Sequence, residues 1–527
     1  NPSAREVYDL AVKLEGLIRN FGVHAAGLVV SSEPLDEIIP LRLPTGKDKE
    51  DDADLVTGFD QPAMEPMGLI KMDILGLENL TTINIALDHI HRLYGKTVVV
   101  EDLPLDDAAT YQMMAAGNSR GVFQFDSPGM RNLLKRMRPD KFIDLAAANA
   151  LYRPGPMGAD AHNAYADRKT GKLPVEPIHP EFKDSLKDIL EPTYGVICFQ
   201  ETVMAVLQEV AGYSLGQADA VRRIMGKKKP LEMAKLEPEL REKMAGKGYS
   251  EEAFQALWEI LVPFSAYAFC KAHSCGYAMV AYWTAYLKCH YPIAYFAALL
   301  SAEADDQEKL TAFLQDAREN GVAILPPDIN ESDYGFTPTV QGIRFGLSAI
   351  KGVGAAVISE VKGKRIETLS DFYSDVSDKV NVRTLQCIIG SGAFDFLGDR
   401  SAHHESAPDW LERAKADKKA IAFGDRPILR AAFSLPKEQI DKSQMRTWES
   451  ELLGTELTLD SLTLKLKRPL SEDEHMWLQR TLSQFPGPQR VRFDLNGTGW
   501  FGLTSVSPSD RLTRMLSALD AIEVYVG

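Results

Sequence analysis

The chain has 527 residues, a length that calls for roughly three or four domains rather than one core. Its net charge of −15, with 25% charged and 45% hydrophobic residues, excludes a protein that coats duplex DNA with its whole surface. A local basic channel stays open to it, because clefts focus field lines. Five scattered cysteines (Cys198, Cys270, Cys275, Cys289 and Cys387) exclude a disulfide scaffold and fit reduced thiols in the cytoplasm. No apolar run approaches membrane-spanning length, so no membrane partner is expected.

In chain order, the opening NPSAREVYDL has neither an initiating methionine nor a signal-peptide pattern. It reads like the interior of a longer protein. Apolar positions Val7, Leu10, Leu14 and Leu17 predict a helix over residues 5–20. Residues 28–30 and 69–75 read as strands, the polar stretch 46–54 as a loop, and 78–93 as a helix. From about Leu103 the pattern is mostly helical, punctuated at Ser127-Pro128-Gly129, Arg153-Pro154-Gly155-Pro156 and Gly226. Residues 276–300 form a long aromatic-rich helical stretch. Strand character returns at 343–350, and Ile350-Lys351-Gly352-Val353-Gly354 opens another helix. Residues 400–450 read as a polar linker with some helix, and 461–527 as a small α/β domain.

Six segments carry chemistry. Within GLIKMDILGLENL, Lys71 and Asp73 are two apart on a strand and therefore share a face. They could neutralise one another, or Asp73 could bind Mg2+, which takes a few carboxylates together with substrate phosphates. One carboxylate is not a two-metal site, which needs several acids converging on ions about 4 Å apart. Arg153, presented from a Pro-Gly-Pro loop, is aimed rigidly enough to meet phosphate, or else it ends a helix in solvent. Arg222, Arg223, Lys227, Lys228 and Lys229 put five cations into eight residues. Asp219 lies at helical spacing from the two arginines. A run like this is either a solvated face or a polyphosphate grip.

Lys271, His273 and Ser274 cluster where a helix starts and free N–H groups favour anions, with Tyr277 one turn on. The cysteines and histidines of this stretch include no CxxC pair, which argues against zinc. Arg131, Lys135, Arg136 and Arg138 form a second basic cluster, and Lys351, Gly352 and Gly354 match the hairpin of a helix-hairpin-helix element, whose backbone N–H groups contact DNA phosphate. No GxxxxGK[ST] or GxGxxG fingerprint points to a generic ATP-binding enzyme.

These segments, in this order, resemble the alpha subunits of bacterial DNA polymerase III, the C-family replicative polymerases. The resemblance rests on KLEGLIRNFGVHAAGLVVS, GLIKMDILGLENLTTIN, GVFQFDSPGM, LYRPGPMGAD, LEPTYGVICFQETVM, GYSLGQADAVRRIMGKKKP, KAHSCGYAMVAYWTAYLKCHYP, ILPPDIN, IRFGLSAIKGVG and VSPSDRL. It implies a multidomain α+β protein. A partial polymerase-beta-like palm would fill 1–100, mainly helical fingers 101–300, and a helix-hairpin-helix DNA- and clamp-binding region 301–410. A linker would follow at 411–460 and a small α/β domain at 461–527. Asp73 falls at the family's third palm carboxylate, a Mg2+ ligand buried on its ribbon, with Lys71 beside it. Arg153, Arg222, Arg223, Lys227, Lys228 and Lys229 fall in segments lining the nucleotide and template cleft. Lys271, His273, Ser274 and Tyr277 fall in the helix start facing the incoming nucleotide.

The implied activity is template-directed DNA synthesis in the cytoplasm, on primer-template DNA with deoxynucleoside triphosphates. The implied partners are the sliding clamp and its loader. The sequence departs from the family in three ways. The Asp-x-Asp pair that lies upstream of KLEG in the family has no counterpart, so a further N-terminal polymerase segment is expected to supply it. No phosphoesterase-like domain precedes it. Leu452-Leu453-Gly454 runs into LTLKLKRPL with no space for an OB barrel. The clamp motif near Ala420–Phe423 also lacks its glutamine. An inactive DNA-binding remnant or accessory subunit is the alternative reading.

Overall fold

The computed structural model describes residues 2–16, 22–24, 26–43, 55–226, 230–264, 269–361, 363–368, 372, 380–398, 400–422, 442–457, 462–468, 470–483, 486–495, 498–506, 512, 515–516, 519 and 522–526. The chain divides into two compact units, Asn1–Glu78 and Asn79–Gly527.

The first unit is small. Strand Gly27–Val30 pairs antiparallel with Ile70–Asp73, so that Gly27 faces Asp73 and Val29 faces Lys71. A second short ribbon joins Leu41–Arg42 to Val56–Thr57. The buried core is Ile39, Met64 and Leu69, with Val29 and Leu41 against it. Three side chains cannot cover a ribbon, and Ile70, Met72, Ile74 and Leu75 remain exposed. The expectation of a buried ribbon around Asp73 is therefore corrected: its side chain is 43% exposed. A two-stranded ribbon cannot bury its own face without a second layer, and the described residues of this unit offer only that small core.

The second unit is mainly helical. Helix Phe142–Leu151 carries Ala146, Ala147, Ala148 and Ala150, all buried, and these small side chains let helix Lys271–His290 approach closely. The long helical stretch expected at 276–300 is broken at Tyr291, because Pro292 begins a new helix, Pro292–Ala302. Helices Gln200–Ala211, Leu215–Gly226 and Glu251–Phe264 surround a separate core with Val206, Leu207 and Phe254 at its centre. Helix Glu78–Tyr94 contributes Ile83, Ala86 and Ile90 to a third core, shared with Phe296, Leu300 and the 321–411 region. There Gly342–Arg344 pairs parallel to Ile324–Leu325 and antiparallel to Thr337–Thr339.

In the stretch expected to be a linker, helices Arg400–Ala422 and Lys442–Leu453 bury Leu411 and Leu453 in this same core. Arg400 locks them together: it is bonded to Asp395 and, at 2.9 Å, to the fully buried Glu449. The last residues form a four-stranded sheet in the order Thr498–Val506, Pro486–Leu495, Leu462–Leu466, Ile522–Val526. No helix among the described residues is long and apolar enough to cross a membrane.

Candidate functional site

In the first unit, Lys71 Nζ lies directly on Asp73 Oδ1, and His24 Nδ1 is 3.7 Å from the same oxygen. The hydrogen bond from Lys71 holds the Asp73 carboxyl below its ordinary range, so it is ionised at neutral pH. Opposite them, a Cβ at Gly27 would come within 2.9 Å of Lys71 Cε and 3.3 Å of Asp73 Oδ1, so the pair packs closely over the glycine. Among the described residues no three His, Cys, Asp or Glu side chains converge into a metal site. Asp73 is a single, partly exposed, ionised carboxylate paired with Lys71.

The second unit gathers several expected residues onto one surface. Arg153 precedes the short helix Pro154–Gly158, and its guanidinium carbon lies 3.5 Å from the centre of the Phe269 ring. Its Nε donates to the Asn149 carbonyl at 3.3 Å. Partial burial lowers the Arg153 pKa from its ordinary value, though a guanidinium stays charged at any physiological pH. Phe269 meets His273 edge-to-face at 5.3 Å, His273 lies 4.3 Å from Tyr277, and Tyr277 lies 5.5 Å from Phe123. Lys271 is exposed, with Nζ 5.8 Å from the Phe199 ring centre. Phe199 and Phe269 are themselves backbone bridge partners, which places the two cation-bearing rings side by side. Neither Arg153 nor Lys271 has a carboxylate partner for its side chain among the described residues.

The other expected cations differ. Arg222 donates to Asp219 at 2.7 Å and to Gln200 at 3.1 Å, and Arg223 binds the other Asp219 oxygen at 2.9 Å. Through Gln200, whose N–H donates to the Phe269 carbonyl at 2.9 Å, this pair is tied to the ring cluster. Lys227, Lys228 and Lys229 lie outside the described residues, as does Phe423 of the expected clamp motif.

Two expectations are corrected here. Ser274 is 0% exposed, and its hydroxyl donates to the Ala146 carbonyl at 2.5 Å. It fastens helix to helix and does not face a ligand, because the alanine-rich partner helix comes close enough to bury it. The free helix start is also partly taken: Glu201 accepts the Lys271 backbone N–H at 2.8 Å.

In the second basic cluster, Arg136 is engaged at 2.8 Å by Asp167, with Asn163 beside it. Arg131 is half-buried, while Lys135 is exposed with its stem across Gly117. At the hairpin, Lys351, Gly352 and Gly354 are all exposed. Gly352 has φ +89°, and a Cβ there would come 3.0 Å from Cys387 Sγ, so glycine is needed on both counts. The Lys351 N–H donates to the Leu452 carbonyl at 3.0 Å, which anchors the hairpin to helix Lys442–Leu453. Sequence reading missed Phe269, Phe199, Glu201 and Gln200. The only local signal was the aromatic just before the KAHS segment.

Fold and site together describe a mainly helical protein with unpaired cations on an aromatic shelf and a glycine hairpin of the helix-hairpin-helix kind. Three family models match: the bacterial DNA polymerase III alpha subunit finger domain over residues 79–248, a helix-hairpin-helix motif over 321–403, and the bacterial DNA polymerase III alpha NTPase domain over 1–76. DNA polymerase III subunit alpha of Saccharopolyspora erythraea is 44% identical over 479 residues, which is 86% of this chain and 39% of that protein. The subunit of Mycobacterium tuberculosis H37Rv is 45% identical over 86% of this chain and 40% of its own length. That of Thermus aquaticus is 36% identical over 85% and 37%. The chain belongs to the bacterial DNA polymerase III alpha-subunit family. It spans about two fifths of the length of these relatives.

Proposed function

We propose that this chain takes part in template-directed DNA synthesis in the cytoplasm, as a nucleotidyltransferase acting on primer-template DNA and deoxynucleoside triphosphates. The observation that carries the reading is the pair of exposed, unneutralised cations, Arg153 and Lys271, held over the adjoining rings Phe269 and Phe199. Exposed cations without acids are suited to polyphosphate, and phosphoryl transfer depends mainly on positioning and charge neutralisation. In this reading residues 79–248 act as the fingers. Arg153 and Lys271 hold the triphosphate, and His273 and Tyr277 offer ring faces to sugar or base. Arg222 and Arg223 stand behind them, their charge already half-compensated by Asp219.

In the palm, Asp73 provides one carboxylate oxygen for Mg2+, and Lys71 keeps that carboxylate ionised and oriented. Bound magnesium would supply charge neutralisation at the reacting phosphate. Gly352 and Gly354 would offer the hairpin backbone to DNA phosphate, with Lys351, Arg131 and Lys135 adding charge.

The test is primer extension by the polymerase carrying Asp73→Asn. Extension should fall by about a hundredfold or more with primer-template affinity kept. The lone carboxylate favours a second reading, a DNA-binding accessory protein without catalysis. That reading requires extension to be indifferent to Asp73, and such indifference would refute the proposal.

A further inference from the structure

We propose that Phe269 is a positioning residue for substrate binding, its ring fixing the guanidinium of Arg153 flat in the orientation that meets a nucleoside triphosphate. The inference rests on the nucleotide-binding reading above and adds a residue to it. Arg153 is exposed and no acid among the described residues holds it, so a side chain with so many rotamers would normally wander. Instead its guanidinium carbon lies 3.5 Å from the Phe269 centroid, within stacking distance of a planar cation. The only hydrogen bond its side chain makes among the described residues is from Nε to the Asn149 carbonyl, so its terminal nitrogens remain available.

Phe269 is well placed to act as a fixed shelf. Its carbonyl accepts the Gln200 N–H at 2.9 Å, its backbone bridges to Phe199, and its ring meets His273 edge-to-face. The ring is half-buried and packs against the core shared by helices Phe142–Leu151 and Lys271–His290, which holds it in place beneath Arg153. A ring beneath the cation does what an acid partner would do for orientation, while leaving the positive charge uncancelled for the ligand. An aspartate in its place, like Asp219 under Arg222, would orient the cation and neutralise it at once. Holding the side chain in its bound arrangement lowers the entropy lost when the triphosphate arrives.

The test is the nucleotide KM and kcat of primer extension, measured for Phe269→Leu, Phe269→Tyr, Arg153→Ala and the double variant Phe269→Leu/Arg153→Ala. Phe269→Leu should raise KM roughly five- to tenfold, with kcat within about twofold. Phe269→Tyr, which keeps the ring, should match the parent. In the Arg153→Ala background, Phe269→Leu should add nothing, because the ring acts through the guanidinium. If Phe269→Leu fails to fold, Arg153→Lys probes the same contact from the other side, since an ammonium lacks the flat face; it should raise KM to a similar degree. The inference is overturned if Arg153→Ala raises KM while Phe269→Leu and Arg153→Lys do not. It is also overturned if Phe269→Leu acts equally with and without Arg153, as general packing would. If Arg153→Ala itself leaves KM unchanged, it is the nucleotide-binding reading that fails.

Discussion

Arg153 and Arg222 carry the same guanidinium in opposite electrostatic states. Arg222 shares Asp219 with Arg223, at 2.7 and 2.9 Å, whereas Arg153 faces a ring and a carbonyl. A phosphate approaching Arg222 must compete with an acid already in place, and one approaching Arg153 need not. Arg222→Ala is therefore expected to weaken nucleotide binding several-fold less than Arg153→Ala, a difference that steady-state KM values measure directly. Loop rigidity singled out Arg153 and the helix start singled out Lys271, His273 and Tyr277, as two separate segments; that Phe269 lies between them in space had no local signal. What stayed hidden was which cations are neutralised, since partners such as Asp167 for Arg136 come from another helix. Phe269 and Phe199 were hidden for the same reason: their bridge joins segments far apart in the chain. Ser274 was misread because a serine at a helix start looks like an anion ligand until a neighbouring helix of small residues buries it.

Helix packing in the second unit follows from a few side chains that hold the long helices in register. Lys288, on helix Lys271–His290, is 2% exposed and donates to Asp316 at 2.7 Å, to the Arg120 carbonyl at 2.9 Å and to Asn118 at 3.0 Å. Burial pushes the Asp316 carboxyl up and the Lys288 ammonium down, and each is kept charged by the other. Lys288→Met would strand the acid, and is expected to cost about 3–5 kcal/mol in a denaturant titration. Pairing it with Asp316→Leu should recover much of that loss, and no recovery would show that the pair is not what Lys288 serves. The helical character of 276–300 was legible from its aromatic-rich run. The break at Tyr291 was visible only as a proline, and the burial of a lysine at the end of an aromatic helix had no local signal. In the linker stretch, polar composition concealed Leu411, Leu453 and the Arg400–Glu449 lock, because one buried face per helix suffices to dock it.

At the scale of the molecule, the sequence divided the chain by punctuation, while the cores divide it by what each helix buries. Helix Glu78–Tyr94 shows the difference, since its apolar face joins residues some two hundred positions away. It also carries His89, whose Nε2 is buried with no hydrogen-bond partner among the described residues and whose pKa burial lowers from 6.5 to about 4. A histidine with a depressed folded-state pKa binds fewer protons folded than unfolded. Its stabilising contribution is complete above about pH 6.5 and is lost as the pH falls toward 4. Melting temperatures across this window should decline, and His89→Leu should flatten the decline by roughly 1–2 kcal/mol after allowance for solvent screening.

Whether the cations on the ring shelf hold a triphosphate can be read by equilibrium titration of the 527-residue chain with a fluorescent deoxynucleoside triphosphate. Binding should be saturable, displaced by inorganic tripolyphosphate, and weakened about tenfold or more in Arg153→Ala/Lys271→Ala. Equal affinity in the parent and that double variant would contradict the account.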